Sequence, residues 1–137
     1  MFFGRSKTQG GIKLVAKIKN LCGENFAIYS GEDALVVPLL SLGGNGVISV
    51  VSNVMPKATS EMVHAFLNGD VKKATKIQLY LMDLIDALFC EVNPIPVKTA
   101  LNLMGKNVGG CVPPLTTMTS ENYRKLDKSL MRYGLIV

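Results

Sequence analysis

At 137 residues, 48% of them hydrophobic, the chain has the length of one ordinary domain and enough apolar surface to bury a core, which excludes a disordered polypeptide. Its net charge of +5 is spread over lysines such as Lys13, Lys17, Lys19, Lys72, Lys73, Lys76, Lys125 and Lys128, on the polar sides of predicted helices, so solvated helix faces are expected and no nucleic-acid partner. The longest apolar stretch, Leu79 to Phe89, carries Asp83 and Asp86 and is far shorter than the ~20 residues of a bilayer span, so no membrane partner is expected either.

The opening MFFGRSKTQGG holds only Phe2 and Phe3 before a polar stretch, which is no secretory leader, and a cytoplasmic protein is expected. From Ile12 to Cys22, Leu14, Val15, Ile18, Leu21 and Cys22 recur at helical spacing with lysines between them, an amphipathic helix closed by Gly23. FAIYSG reads as a short buried strand. EDALVVPLLSLG reads as a second helix, with acidic residues at its positive end, Asp33 serving its start and Pro38 a candidate kink. Gly43 to Gly46 is turn chemistry, and the β-branched run Val47 to Val51 predicts a strand covered on both faces. SEMVHAFLNG adds a helix with Met62, Val63, Phe66 and Leu67 on one side and Gly69 as its stop.

Helix, strand, helix, strand with short connections is the order of a parallel α/β architecture. After Gly69 the strand signal ends. Asp70 can cap a long helix whose apolar face is Ile77, Leu81, Leu84, Ile85, Leu88 and Phe89. NPIPVKTALNLMG is a turn leading into a shorter helix, GGCVPPLTTM is a loop, and Thr119 or Ser120 can cap a last helix through Leu126, Leu130 and Met131 to Gly134. The expected division is therefore 1–69, an α/β portion, and 70–137, a helical domain.

Cys22, Cys90 and Cys111 are widely spaced and lack a metal-ligand pattern, so reduced thiols and no metal are expected. His64, the one histidine, stands without a nucleophile or second ligand nearby in sequence and reads as a helix-surface residue.

Two stretches are more specific. YSGEDALVVPLLSLGGNGVISVVSNVMPK and EVNPIPVKTALNLMG closely resemble the C-terminal half of the dihydrodipicolinate synthase (4-hydroxy-tetrahydrodipicolinate synthase) family, a branch of the pyruvate-dependent class I aldolases that include N-acetylneuraminate lyase. The resemblance runs from about Gly10 to the end of the chain. It implies an α/β fold, a (β/α)8 TIM barrel followed by a unit of three helices, and a lyase that condenses pyruvate with aspartate semialdehyde in lysine biosynthesis, through a Schiff base on a lysine of the sixth strand and with no cofactor. On that plan FAIYS matches the seventh strand and GVISVV the eighth, so that the chain is expected to be a partial, truncated barrel holding the last strands only.

The family's sixth strand reads approximately G-I-K-E-A-[ST]-G. Counting back from SGEDA without a gap sets Gly4 on its first glycine, Gly10 on its last, and Ser6 on the lysine. Lys7 lies one residue on, facing away from the barrel interior in a regular strand; a bulge or one-residue slip would turn it inward. Lys13, in GIKLV, stands too close to SGEDA to be the nucleophile. The resemblance leaves no catalytic residue intact and two substrate-binding positions, Gly31 just past a strand end and Ile48, whose backbone carbonyl would face bound pyruvate. Tyr29, Tyr80, Tyr123 and Tyr133 match none of the family's tyrosines and are expected as packing residues, while Asn53 and Asn93 are expected to stabilise loops.

A Schiff-base lysine must be unprotonated to attack, which needs a desolvated setting that two or three strands cannot enclose. The first expectation is a chain inactive alone, with an unpaired strand edge that makes it a homo-oligomer. The alternatives are a split synthase, in which a complementary fragment supplies strands 1–6 and pyruvate binds only once the barrel is completed, and a regulatory partner of a full-length synthase.

Overall fold

The computed structural model describes residues 11–137. Among them the elements follow in the order α1 (Gly11–Cys22), β1 (Tyr29–Ser30), α2 (Val36–Ser41), β2 (Gly46–Val47), α3 (Pro56–Leu67), α4 (Val71–Leu88), α5 (Ile95–Leu103) and α6 (Ser120–Arg132), with 3-10 turns at Asp33–Leu35 and Val51–Asn53. They form two compact units: one holds the described residues up to Ser49 together with Lys57–Tyr80, the other Val50–Pro56 with Leu81–Val137.

In the first unit the amphipathic stripe of α1 sends Val15 and Ile18 against Ile28 and Leu39, with Phe26 and Leu42 closing the cluster. A helix as short as α2 does not hold itself together in water. It is held because it is buried on two sides: Leu39 enters the α1 cluster, while Val36 and Leu40 pack with Met62, Val63, Phe66 and Ile77. The segment expected as one helix is a 3-10 turn followed by this α-helix. Pro38 falls in the first turn of α2, where a backbone N–H has no intrahelical acceptor, so its missing N–H costs the helix no hydrogen bond.

β1 and β2 pair in parallel, Tyr29 opposite Gly46 and Ser30 opposite Val47. Asn45 lengthens this small ladder by mimicking backbone, its N–H donating to the Ile28 carbonyl at 2.8 Å and its Oδ1 accepting from the Ile28 N–H at 2.9 Å. The turn before it passes so close to α2 that a Cβ on Gly44 would stand 1.9 Å from the Leu39 side chain, and Gly43 holds the left-handed φ of +80° that reverses the chain.

The run Val47 to Val51 is not the strand covered on both faces that its composition predicts. Only Val47 belongs to β2, Ile48 is 47% exposed, and Val51 opens a 3-10 turn. β-branched side chains report a fit to a packed surface rather than an extended backbone, and β1 is the only strand that β2 pairs with among the described residues. Leu67 is a second departure: the buried side of α3 runs through Thr59, Met62 and Ala65, which turns Leu67 to solvent. Asp70 caps α4 as its position predicts, its Oδ1 accepting from the Lys73 N–H at 3.0 Å.

In the second unit Leu81, Leu84 and Leu88 of α4 and Leu126 and Leu130 of α6 are shut from solvent, and α5 packs on α6 and on the Val51–Asn53 turn. Thr119 is the cap of α6. Its N–H and Oγ1 both donate to Glu91 Oε1, at 2.9 and 2.7 Å, and Asn122 Nδ2 donates to the same oxygen at 2.8 Å, so one carboxylate ties the turn after α4 to the start of α6.

Candidate functional site

Ser6 and Lys7, the two residues that bear on the nucleophile, lie outside the described residues. Gly31 and Ile48, the two positions expected from the resemblance to bind substrate, are brought together. Both follow directly on the paired strands, both are exposed, and the Ile48 N–H donates to the carbonyl of Ser30, the residue before Gly31, at 2.8 Å. The ends of β1 and β2 thus open side by side.

The ladder stops there for a local reason. In a parallel pair that continued, the Glu32 N–H would reach the Ile48 carbonyl. Instead it donates to Ser30 Oγ at 3.1 Å, and that hydroxyl donates to the Glu32 carbonyl at 2.8 Å. The turn is closed by Ser30's own side chain.

Behind it stands Asp33, the first residue of the 3-10 turn that precedes α2. It is 2% exposed, and its Oδ1 accepts a short hydrogen bond from the Ser49 hydroxyl. A buried carboxylate needs such donors, and this one comes from just past the end of β2. The buried amide of Gln78 completes the arrangement: Nε2 donates to the Asp33 carbonyl at 2.9 Å and Oε1 accepts from the Val37 N–H at 3.2 Å. Gln78 was invisible in sequence because it interrupts an apolar helical face, although a lone amide on such a face is the signal that a backbone group needs it.

The remaining candidates are structural. His64 is at the surface with Nδ1 at 2.8 Å from the Ser60 carbonyl of the preceding turn. Asn53 holds its own turn, Nδ2 donating to the Val50 carbonyl at 3.0 Å, as expected of a loop residue. Tyr29, Tyr80 and Tyr123 are large exposed residues rather than buried packing rings. Cys22, Cys90 and Cys111 are free thiols, and burial pushes the Cys90 thiol above its ordinary value, away from reactivity. No group of three or more metal-ligating side chains occurs among the described residues, and no described helix is long and apolar enough to cross a membrane.

Two depressions accompany these features. One of about 60 Å³ lies between α1 and the end of β1, walled by Val15, Ile18 and Gly31, with room for a few waters. The other, about 430 Å³, belongs to the second unit, between α5 and Tyr123, and holds Lys98, Thr99, Thr116 and Thr117; the Lys98 ammonium is tied to the Gly110 carbonyl.

Parallel strands joined through a helix, with an exposed glycine and an exposed isoleucine at their C-terminal ends, define the arrangement by which α/β barrel enzymes build their sites. The Dihydrodipicolinate synthetase family profile matches residues 3–132, and the chain belongs to that family. The 4-hydroxy-tetrahydrodipicolinate synthase of Acetivibrio thermocellus is 55% identical over 125 residues, 91% of this chain and 43% of the relative. The crystal structure of dihydrodipicolinate synthase from Aquifex aeolicus superposes with a TM-score of 0.89 at 41% identity, over 96% of this chain and 45% of that one. The chloride-inhibited enzyme from Acinetobacter baumannii, crystallised with pyruvate, superposes with a TM-score of 0.86 at 34% identity, over 94% of this chain and 44% of that one. The chain therefore spans less than half the length of the curated relatives it matches.

Proposed function

We propose that this chain carries the last two strand ends of a 4-hydroxy-tetrahydrodipicolinate synthase site, in a partial barrel over 1–69 followed by a helical unit over 70–137, and that by itself it does not catalyse the condensation of pyruvate with aspartate semialdehyde. The observation that carries this reading is the pairing of exposed Gly31 with exposed Ile48 at the ends of a two-stranded parallel sheet. Imine formation needs an uncharged lysine amine to attack the keto carbon and a proton donor to expel water, and an open sheet edge gives an amine neither desolvation nor a relay. The family resemblance, with Ser6 in the lysine position, supports the same conclusion.

The test is to incubate the purified chain with pyruvate and borohydride and weigh it. No mass gain is expected. A reduced pyruvyl adduct mapped to Lys7 would overturn the reading.

One observation favours a second reading, a split synthase: the strand ends already hold the shape of a site, with the Ile48 N–H engaged and the Ser30 turn closed. If a complementary fragment carrying strands 1–6 restores condensation when mixed with this chain, the second reading stands; light scattering of the chain alone measures the self-association its strand edge implies.

A further inference from the structure

Ser30 is 4% exposed and contributes to the strand ends in two ways. Its carbonyl accepts from the Ile48 N–H at 2.8 Å, which fixes Ile48 against β1. Its hydroxyl removes the Glu32 N–H, the next donor in the ladder, by accepting from it at 3.1 Å. No hydrogen bond reaches the Ile48 carbonyl from any described residue, although a parallel strand one residue longer would have paired it with Glu32. On the other side of the same peptide unit, the Ser49 hydroxyl is held by the buried Asp33 carboxylate. The peptide between Ile48 and Ser49 is thus anchored at both residues while its oxygen stays available.

We propose that Ser30 is a positioning residue for the substrate site: by capturing the Glu32 N–H it keeps the Ile48 carbonyl out of the β1–β2 ladder, as an open acceptor for an O–H or N–H group of the bound keto-acid adduct. The assignment rests on the reading of Gly31 and Ile48 as the substrate-facing strand ends. Ser30 touches no reacting atom; it acts through Ile48. Threonine, with the same hydroxyl, can make the same turn, whereas alanine leaves the Glu32 N–H to the acceptor that the parallel ladder pattern assigns it, the Ile48 carbonyl.

The experiment measures the hydrogen bond itself, by the through-bond NMR coupling between the Glu32 nitrogen and the Ile48 carbonyl carbon in the isotopically labelled full chain. Wild type and Ser30→Thr should show no coupling, and Ser30→Ala should gain one, with a shift of the Ile48 carbonyl resonance. Coupling already present in wild type, or absent in Ser30→Ala, overturns the proposal. In a mixture with a complementary fragment that condenses pyruvate, Ser30→Ala should raise KM for pyruvate about tenfold, the size of one hydrogen bond, with Ser30→Thr near wild type. An unchanged KM in Ser30→Ala also overturns it. An inactive mixture counts against the split-synthase reading alone, since the coupling is read without any activity.

Discussion

The two compact units solve the same problem by different means. In the first, short elements are fixed by polar side chains that satisfy backbone groups: Asn45 extends the ladder, Ser30 ends it, Gln78 bridges the Asp33 carbonyl to the Val37 N–H, and Asp33 holds Ser49. In the second, helices bury a run of leucines, and the polar contacts sit at helix ends, where Glu91 serves Thr119 and Asn122 before α6 and Asn102 serves Gly109 and Val108 after α5. A two-residue strand and a six-residue helix cannot fix their own geometry, so the first unit depends on directional bonds; the 13-residue α6 of the second needs mainly an apolar face. The directional solution occurs at the strand ends that carry Gly31 and Ile48.

The contrast breaks most directly in the leucine layer. Leu84→Ala should cost about 3 kcal/mol, the usual penalty for a cavity at a fully buried leucine, read by denaturant unfolding. Hydrogen exchange should show the protection lost chiefly in residues after Leu81. Next, Gln78→Leu fills the same space but strands the Asp33 carbonyl and the Val37 N–H, and should cost about 2 kcal/mol. Protection should then fall in Asp33 to Leu40, and a neutral result would mean that packing, not the amide, holds α2. Thr119→Ala removes a cap hydroxyl and should cost about 1 kcal/mol in thermal unfolding, with fraying confined to the first turn of α6.

A smaller effect follows from pH. The hydrogen bonds from Thr119 and Asn122 hold the Glu91 carboxyl below the ordinary value of 4.5. A lowered folded value means stabilisation that is complete above the ordinary value and disappears as pH falls through the folded one. The unfolding midpoint of wild type should therefore drop below about pH 4.5 more steeply than that of Glu91→Gln; parallel profiles would remove Glu91 from the account. The smallest effect is expected at the Lys73 to Glu61 ion pair, 2.8 Å long and fully solvated, which lowers the Glu61 carboxyl and raises the Lys73 ammonium. Glu61→Gln should leave the unfolding midpoint unchanged within error in physiological salt, and a measurable loss would make this surface pair unusual.

Much of the helical architecture was legible in advance. The cap at Asp70, the leucine face of α4 and the cap at Thr119 follow from spacing and end chemistry, which act within a few residues; of the stripe expected on α1 only Val15 and Ile18 are covered, while Leu14, Leu21 and Cys22 face solvent. The strand ends were legible only by resemblance, which named Gly31 and Ile48 without saying what aims them. The β-branched run after Gly46 misled because a side chain's preference for a packed sheet does not say where pairing stops. Ser30 and Asp33 stood in plain view within SGEDA, yet their partners are Glu32 and Ser49, and only folded coordinates pair a carboxylate with a hydroxyl 16 positions away.

The order of residues by itself determined that α1, α4 and α6 are helices, where α4 and α6 are capped, and to which family the chain belongs, because capping, periodicity and motif are local. The tertiary structure alone decided which polar groups are buried and where the ladder between the strands ends. Both depend on which donor is nearest once distant segments meet, and a hydrogen bond gains strength only when the surrounding water has been removed.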